Sequence, residues 1–176
     1  MCLVFAKKYE QKGDIVCYKV CKRLKKSGKD VCHPDLLPYY QLGNRQLAGD
    51  TVFFSVHRNE PYVLNELKST GQDDSVLIND SPLNYIDGGA FHTFTSEEDA
   101  INFYYTKLNP DSDIVVIKCI IPKDSNFIYI GDFNVFGTDL NLRKYTVYKS
   151  FASEKVLPVE VVWEAKDHQL DSPTFV

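Results

Sequence analysis

The clearest pattern of apolar and polar positions in this chain lies between residues 90 and 121. Residues 90–95 predict a short strand, and Ser96 follows as a candidate N-cap because its hydroxyl can accept from the exposed amides of a first helical turn. Apolar residues then recur at helical spacing and predict an amphipathic helix over about 96–108. These residues are Ala100, Phe103, Tyr104 and Leu108. The nearly continuous apolar run 114–121 predicts a central strand that is covered on both faces.

Runs of β-branched and aromatic residues predict further strands on both sides of this unit. They lie at residues 14–23, 51–57, 127–130, 144–151 and 156–164. Residues 24–50 and 59–90 hold several Pro and Gly breakers and predict loops, with a short helix near 64–68. Strands outnumber helices without regular alternation, so we expect one α+β domain over 1–176, with a mostly antiparallel or mixed sheet of six or more strands. The polar tail 165–176 is expected to fray.

Composition and cysteine content favour a globular protein of the cytoplasm. Hydrophobic residues make up 44% of the chain and charged residues 25%, as in an ordinary globular domain. No run of about 18 apolar residues is present, and the apolar start of the chain is too short for a signal-peptide core. The five cysteines are an odd number without a secretory signal, which favours reduced thiols.

A zinc site is the first chemistry that the cysteines suggest. Its ligands would be Cys17, Cys21, Cys32 and His33. Because residues 15–23 are expected to form a strand, Cys17 and Cys21 would lie about 13 Å apart along one face. Zn–S bonds of about 2.3 Å need much closer ligands. We therefore expect no metal and no resident cofactor, and we interpret these two cysteines as small buried hydrophobes.

Charged residues are distributed unevenly along the chain. Residues 1–33 carry nine basic and three acidic side chains, whereas 34–176 carry 11 basic and 21 acidic ones. A basic arm over 7–29 beside an acidic body favours self-association or a protein partner of mixed charge. Nucleic acid is the less favoured partner, because the net charge is negative and no recognised reading motif is present. No membrane contact is expected.

His92 is the residue that we single out as a candidate site. It lies between Phe91 and Thr93 on the strand predicted before the helix. An imidazole with a reference pKa near 6.5 suits general acid–base work or ligand contact at the mouth of a pocket. The alternative is a half-buried histidine that donates to a backbone carbonyl. We favour this alternative, because the sequence offers no Ser or Cys partner motif.

Four short motifs follow one another along the chain. They are Tyr18-Lys19-Val20, Gly89-Ala90-Phe91-His92-Thr93-Phe94, Glu98-Asp99-Ala100 and Ala152-Ser153-Glu154-Lys155. In this order they resemble a group of small phage and bacterial proteins of unknown function. The resemblance covers most of the chain and implies an accessory binding or interaction protein encoded by a phage or mobile element. It implies no particular activity.

A second resemblance concerns residues on three predicted strands. Arg23 ends the first core strand, His92 precedes the helix, and Glu160 lies on the last strand. This order is similar to that of ADP-ribosyltransferases, and the resemblance implies catalytic roles for these residues in a nucleotide-using transferase. It implies cofactor contacts for Thr93 and Thr95. The chain lacks the Glu-x-Glu or Gln-x-Glu pair of that family. The enzyme hypothesis therefore requires the named side chains to converge on one cleft.

Overall fold

The computed structural model describes residues 2–23, 52–56, 61–72, 78–79, 85–86, 89–107, 114–134 and 147–165. These ranges contain 12 strands and one helix, so the described part of the chain is dominated by β-sheet. The strands are β1 Cys2–Lys8, β2 Ile15–Arg23, β3 Val52–Ser55, β4 Pro61–Val63, β5 Lys68–Ser69, β6 Ile78–Asn79, β7 Tyr85–Ile86, β8 Phe91–Phe94, β9 Ile114–Ile121, β10 Ile128–Asn134, β11 Val147–Ser153 and β12 Lys155–Glu164. The helix α1 is Glu97–Lys107.

The strands form one sheet in which every described pairing is antiparallel. Their order is β5-β12-β9-β2-β8-β11-β10-β1-β7-β6, and β3 pairs with β2 and with β4. The prediction of a mostly antiparallel sheet is therefore confirmed. Some neighbouring strands come from distant parts of the chain, since Cys17 of β2 lies opposite Cys119 of β9.

The predicted strand–helix–strand unit is present as β8, α1 and β9. Ser96 caps the helix as expected, because its Oγ accepts a 3.1 Å hydrogen bond from the Asp99 amide. Ala100, Phe103 and Tyr104 are buried, whereas Leu108 lies outside the described residues. β9 is central, between β12 and β2. Because β2 is antiparallel to both β8 and β9, these two strands run parallel, and α1 carries the chain across β2.

The predicted helix near residues 64–68 is wrong. The chain instead turns at Asn65, whose φ is +63°, and continues into β5 beside β12. The Asn65 amide donates to the carbonyl oxygen of Pro158 at 2.8 Å. Asn tolerates this left-handed conformation better than most residues, so the turn serves to bring β5 to the edge of the sheet. At the far end, Ala165 is buried, and residues 166–176 lie outside the described ranges.

The core lies on both faces of the sheet. On the face covered by α1 the cluster is Val20, Phe94, Ala100, Phe103, Tyr104, Ile114, Val116, Phe133, Tyr148, Trp163 and Ala165. On the opposite face, Phe53 of β3 and Tyr62 of β4 pack against side chains of β2, β8 and β9. No helix in the described ranges is both long and apolar enough to cross a membrane.

The cysteines of β2 and β9 belong to this second cluster. Cys17, Cys21 and Cys119 are buried free thiols, as expected for small hydrophobes. Burial raises the pKa of Cys17 and Cys21 to about 12, which makes them poor nucleophiles. Within the described residues no three His, Cys, Asp or Glu side chains come together as a metal site, and Cys32 and His33 lie outside those residues.

Gly71, just after β5, offers a test of backbone strain. Its φ is +67°, and a Cβ at this position would meet no atom within 4 Å. Gly71→Ala is therefore expected to lower the free energy of unfolding by about 1 kcal/mol, through the left-handed backbone alone. Gly13→Ala is the matched control, because Gly13 is equally open but does not have a left-handed φ. Urea unfolding that gives both variants the same stability would contradict the conformation of Gly71.

Candidate functional site

The edge of β2 that faces away from β9 has two different partner strands. β8 pairs with it at Tyr18, which lies opposite Phe94, and β3 pairs with it at residues 21–23. Between these points, Lys19 and Val20 have no partner on that edge in the described ladders. The sheet is therefore split here, between β8 and β3.

A cavity of about 150 Å³ lies at this split. Its polar lining residues are Lys19, Ser55, His92, Thr93 and Ser150. Its aromatic lining residues are Tyr62, Phe91, Phe94, Phe103 and Phe133. Cavities of this volume can hold a molecule of about the size of benzene. The site therefore combines a few polar groups with an apolar wall, as small-molecule sites commonly do.

Three phenylalanine rings form one wall of the cavity. The centroid of the Phe94 ring lies 5.2 Å from that of Phe103 and 5.5 Å from that of Phe133. Phe103 and Phe133 are 5.6 Å apart in an edge-to-face arrangement. Such contacts are favourable for aromatic rings and restrict their motion. This wall is therefore a preformed apolar surface.

Lys19 supplies the positive charge of the cavity. Only 8% of the residue is exposed. Its Nζ donates a 2.9 Å hydrogen bond to the carbonyl oxygen of His92 and lies 4.9 Å from the ring centroid of Tyr62. Among the residues that the structure describes, no carboxylate forms an ion pair with Lys19. The cavity is therefore lined by a buried lysine residue without a described anionic partner.

Ser150 brings a hydroxyl to the same cavity. It lies opposite Phe94 in the ladder between β11 and β8, and only 1% of the residue is exposed. Its Oγ has no hydrogen-bond partner in the described part of the chain. A buried hydroxyl without a partner is costly, so this atom is suited to bind a polar group that enters the cavity.

His92 and Thr93 are the two predicted site residues that line the cavity. His92 is half-buried, and its ring centroid lies 6.5 Å from that of Phe133. The hydrogen bond from Lys19 is accepted by the backbone carbonyl oxygen of His92. Thr93 is 1% exposed, and its Oγ1 has no hydrogen-bond partner among the described residues. A chemical role for the imidazole stays a prediction.

The other predicted site residues lie elsewhere. Arg23 forms an ion pair with Glu164 at the far end of β12. Glu160 is 54% exposed and accepts a 2.9 Å hydrogen bond from Lys118. Neither Arg23 nor Glu160 lines the cavity. The structure therefore does not bring these two residues to His92, as the enzyme hypothesis requires.

Thr95 is also outside the cavity lining. Its hydroxyl donates to the carbonyl oxygen of Lys149 at 3.3 Å, and its amide donates to the same oxygen at 3.0 Å. These bonds attach the end of β8 to β11. The described contacts of Thr95 are therefore structural.

Sequence reasoning missed Lys19 and Ser150. A signal for Lys19 was present, because side chains alternate along a strand and Lys19 shares a face with Cys17 and Cys21. Since both cysteines were expected to be buried, Lys19 had to be buried with them. Ser150 carries no comparable signal, because its position depends on the pairing of β11 with β8.

Comparison with protein-family models, curated proteins and solved structures found no match to this chain. The resemblances to phage proteins and to ADP-ribosyltransferases therefore stay predictions. Function has to be argued from the cavity and the residues that line it.

Proposed function

We propose that this protein is a non-enzymatic binding protein whose cavity at the split between β8 and β3 takes a small molecule. One observation carries the proposal. Lys19, His92 and Ser150 all line one cavity with an aromatic wall. A few polar groups that converge in an apolar pocket are the usual features of a ligand site. Such a site can orient a bound molecule without changing it chemically.

The fold class and the cellular setting complete this proposal. We infer an α+β fold with α1 as its amphipathic helix, which is supported by buried Phe103 and Tyr104 and by exposed Glu98. We infer a cytoplasmic location for a phage or mobile-element accessory protein. The free thiols of Cys17 and Cys21 support a reducing compartment.

A protein partner or self-association through the basic arm belongs to the same proposal. On β1, Phe5 is 61% exposed, and the neighbouring Lys7 and Lys8 are also exposed. Aromatic residues are enriched at protein interfaces, and cationic side chains beside the ring favour a partner with an acidic surface through charge complementarity. Residues 24–29 of the basic arm lie outside the described ranges.

A nucleotide-using transferase of ADP-ribosyltransferase type is the weaker proposal. Arg23 and Glu160 form ion pairs away from the cavity. A cavity of about 150 Å³ also suits a single ring better than a dinucleotide.

Binding in the cavity can be tested with small aromatic probes. Benzyl alcohol, benzoate and NAD are added to the full chain, and thermal unfolding is followed. We expect at least one single-ring probe to stabilise the protein. At about 100 times its dissociation constant, the gain in the free energy of unfolding is about 2.7 kcal/mol.

A matched pair of variants locates the binding. Val56→Phe places a ring at the cavity lining and is expected to abolish the stabilisation. Val16→Phe makes the same change at a residue that is 46% exposed and lies outside the cavity. This variant should still be stabilised by the probe. The proposal fails if neither single-ring probe binds, or if both variants respond as the unaltered protein does.

A further inference from the structure

We propose that the ligand of this cavity is a small aromatic carboxylate, whose carboxylate is bound by Lys19 and Ser150 and whose ring lies against Phe94, Phe103 and Phe133. This inference rests on the proposed function, which states only that the cavity binds a small molecule. It adds the charge, the size and the orientation of that molecule.

The negative charge of the ligand follows from Lys19. A buried charge is costly unless an opposite charge or hydrogen bonds compensate for it. The ammonium group has three donors, and one of them bonds to the carbonyl oxygen of His92. In the described residues no carboxylate supplies the counter-charge. An anion in the cavity would supply it, whereas a cationic ligand would be repelled.

The carboxylate group follows from Lys19 and Ser150 together. Both residues line the cavity, and Ser150 Oγ has no hydrogen-bond partner among the described residues although it is almost completely buried. A carboxylate has two oxygens and can accept from several donors at once. One oxygen can therefore accept from the ammonium while the hydroxyl of Ser150 donates to the other.

The aromatic part of the ligand follows from the size and the wall of the cavity. About 150 Å³ has room for one six-membered ring. The rings of Phe94, Phe103 and Phe133, with centroids 5.2 to 5.6 Å apart, offer edges and faces to a further ring. The Lys68 ammonium also lies 4.6 Å from the centroid of the lining ring Tyr62 and adds positive charge near the site.

The inference is tested by comparing two probes that differ mainly in charge. Benzoate and benzyl alcohol are titrated into the full chain, and binding is measured by calorimetry and by NMR shifts of the cavity residues. Because hydrogen bonds to charged groups are the stronger ones, we expect benzoate to bind at least about tenfold more tightly than benzyl alcohol. This comparison uses the unaltered protein and needs no variant to fold.

Variants then identify the groups that recognise the charge. Lys19→Met, which keeps an unbranched side chain, should weaken benzoate at least about tenfold and change benzyl alcohol little. Ser150→Ala should weaken benzoate several-fold. Lys118→Met is the matched control, because Lys118 lies on the adjacent strand, pairs with Glu160 and does not line the cavity.

The outcomes separate the inference from the proposed function. If benzyl alcohol binds in the cavity and benzoate binds no more tightly, the carboxylate proposal is overturned while the binding function stands. If Lys19→Met still prefers benzoate as strongly as the unaltered protein does, the assignment of Lys19 is wrong. If neither probe binds, both proposals fail.

Discussion

Phe103→Ala is expected to lower the free energy of unfolding by about 3–5 kcal/mol. Phe103 anchors α1 to the sheet, and only 1% of the residue is exposed. Its ring centroid lies 5.2 to 5.9 Å from those of Phe94, Phe133 and Tyr148. Truncation removes these contacts and leaves an enlarged void under the helix. Urea unfolding followed by circular dichroism measures the loss directly.

Two further variants on α1 provide reference values for the loss of stability in Phe103→Ala. Glu98→Ala changes an exposed side chain in the first turn and should cost less than about 1 kcal/mol, through the helix dipole alone. Phe103→Leu keeps part of the buried volume and should fall between the two. A loss for Phe103→Ala no larger than that for Glu98→Ala would show that α1 does not pack on the sheet through this ring.

Glu154→Ala is expected to cost about 2–3 kcal/mol, because it removes two hydrogen bonds to a buried carboxylate. Glu154 lies at the turn between β11 and β12 and is 3% exposed. Its Oε1 accepts from Ser69 Oγ and its Oε2 accepts from the Asn126 amide, both at 2.9 Å. The side chain thereby connects β5 and the turn before β10 to the β11–β12 corner.

Glu160 provides the control for this carboxylate. It lies on β12, is 54% exposed and forms one surface ion pair with Lys118. Exposed pairs of this kind contribute little to stability, so Glu160→Ala should change the midpoint of urea unfolding little. Equal losses for Glu154→Ala and Glu160→Ala would contradict the structural role assigned to Glu154.

The parts of the fold that local sequence determines were predictable. The cap at Ser96 depends on a bond between residues three apart, and the apolar run of β9 matches its central place in the sheet. The segment 64–68 was not predictable in the same way. Its turn forms where the Asn65 amide reaches Pro158, far away in the sequence, and this tertiary contact outweighs local helix preference.

The candidate site was only partly predictable for the same reason. His92 was singled out from its aromatic neighbours, and the structure places it at the cavity. Lys19 could have been found from strand alternation, but its partner is a backbone carbonyl 73 residues away. Arg23 and Glu160 were grouped with His92 by order along the chain. Chain order does not specify which residues come together in the fold. Here Arg23 and Glu160 do not lie beside His92.

The pairing of β2 with two strands on one edge also affects how the chain folds during its synthesis. All the described strands that pair with β2 follow it in the chain, and Cys119, which lies opposite Cys17, is 102 residues later. At synthesis rates of about 5–20 residues per second, that delay is roughly 5–20 s. During this time β2 can pair only with β3 and β8, which meet it at four residues, and pairing over the full distance to β9 is slow. We therefore expect the nascent chain to be most prone to aggregation before β9 has emerged.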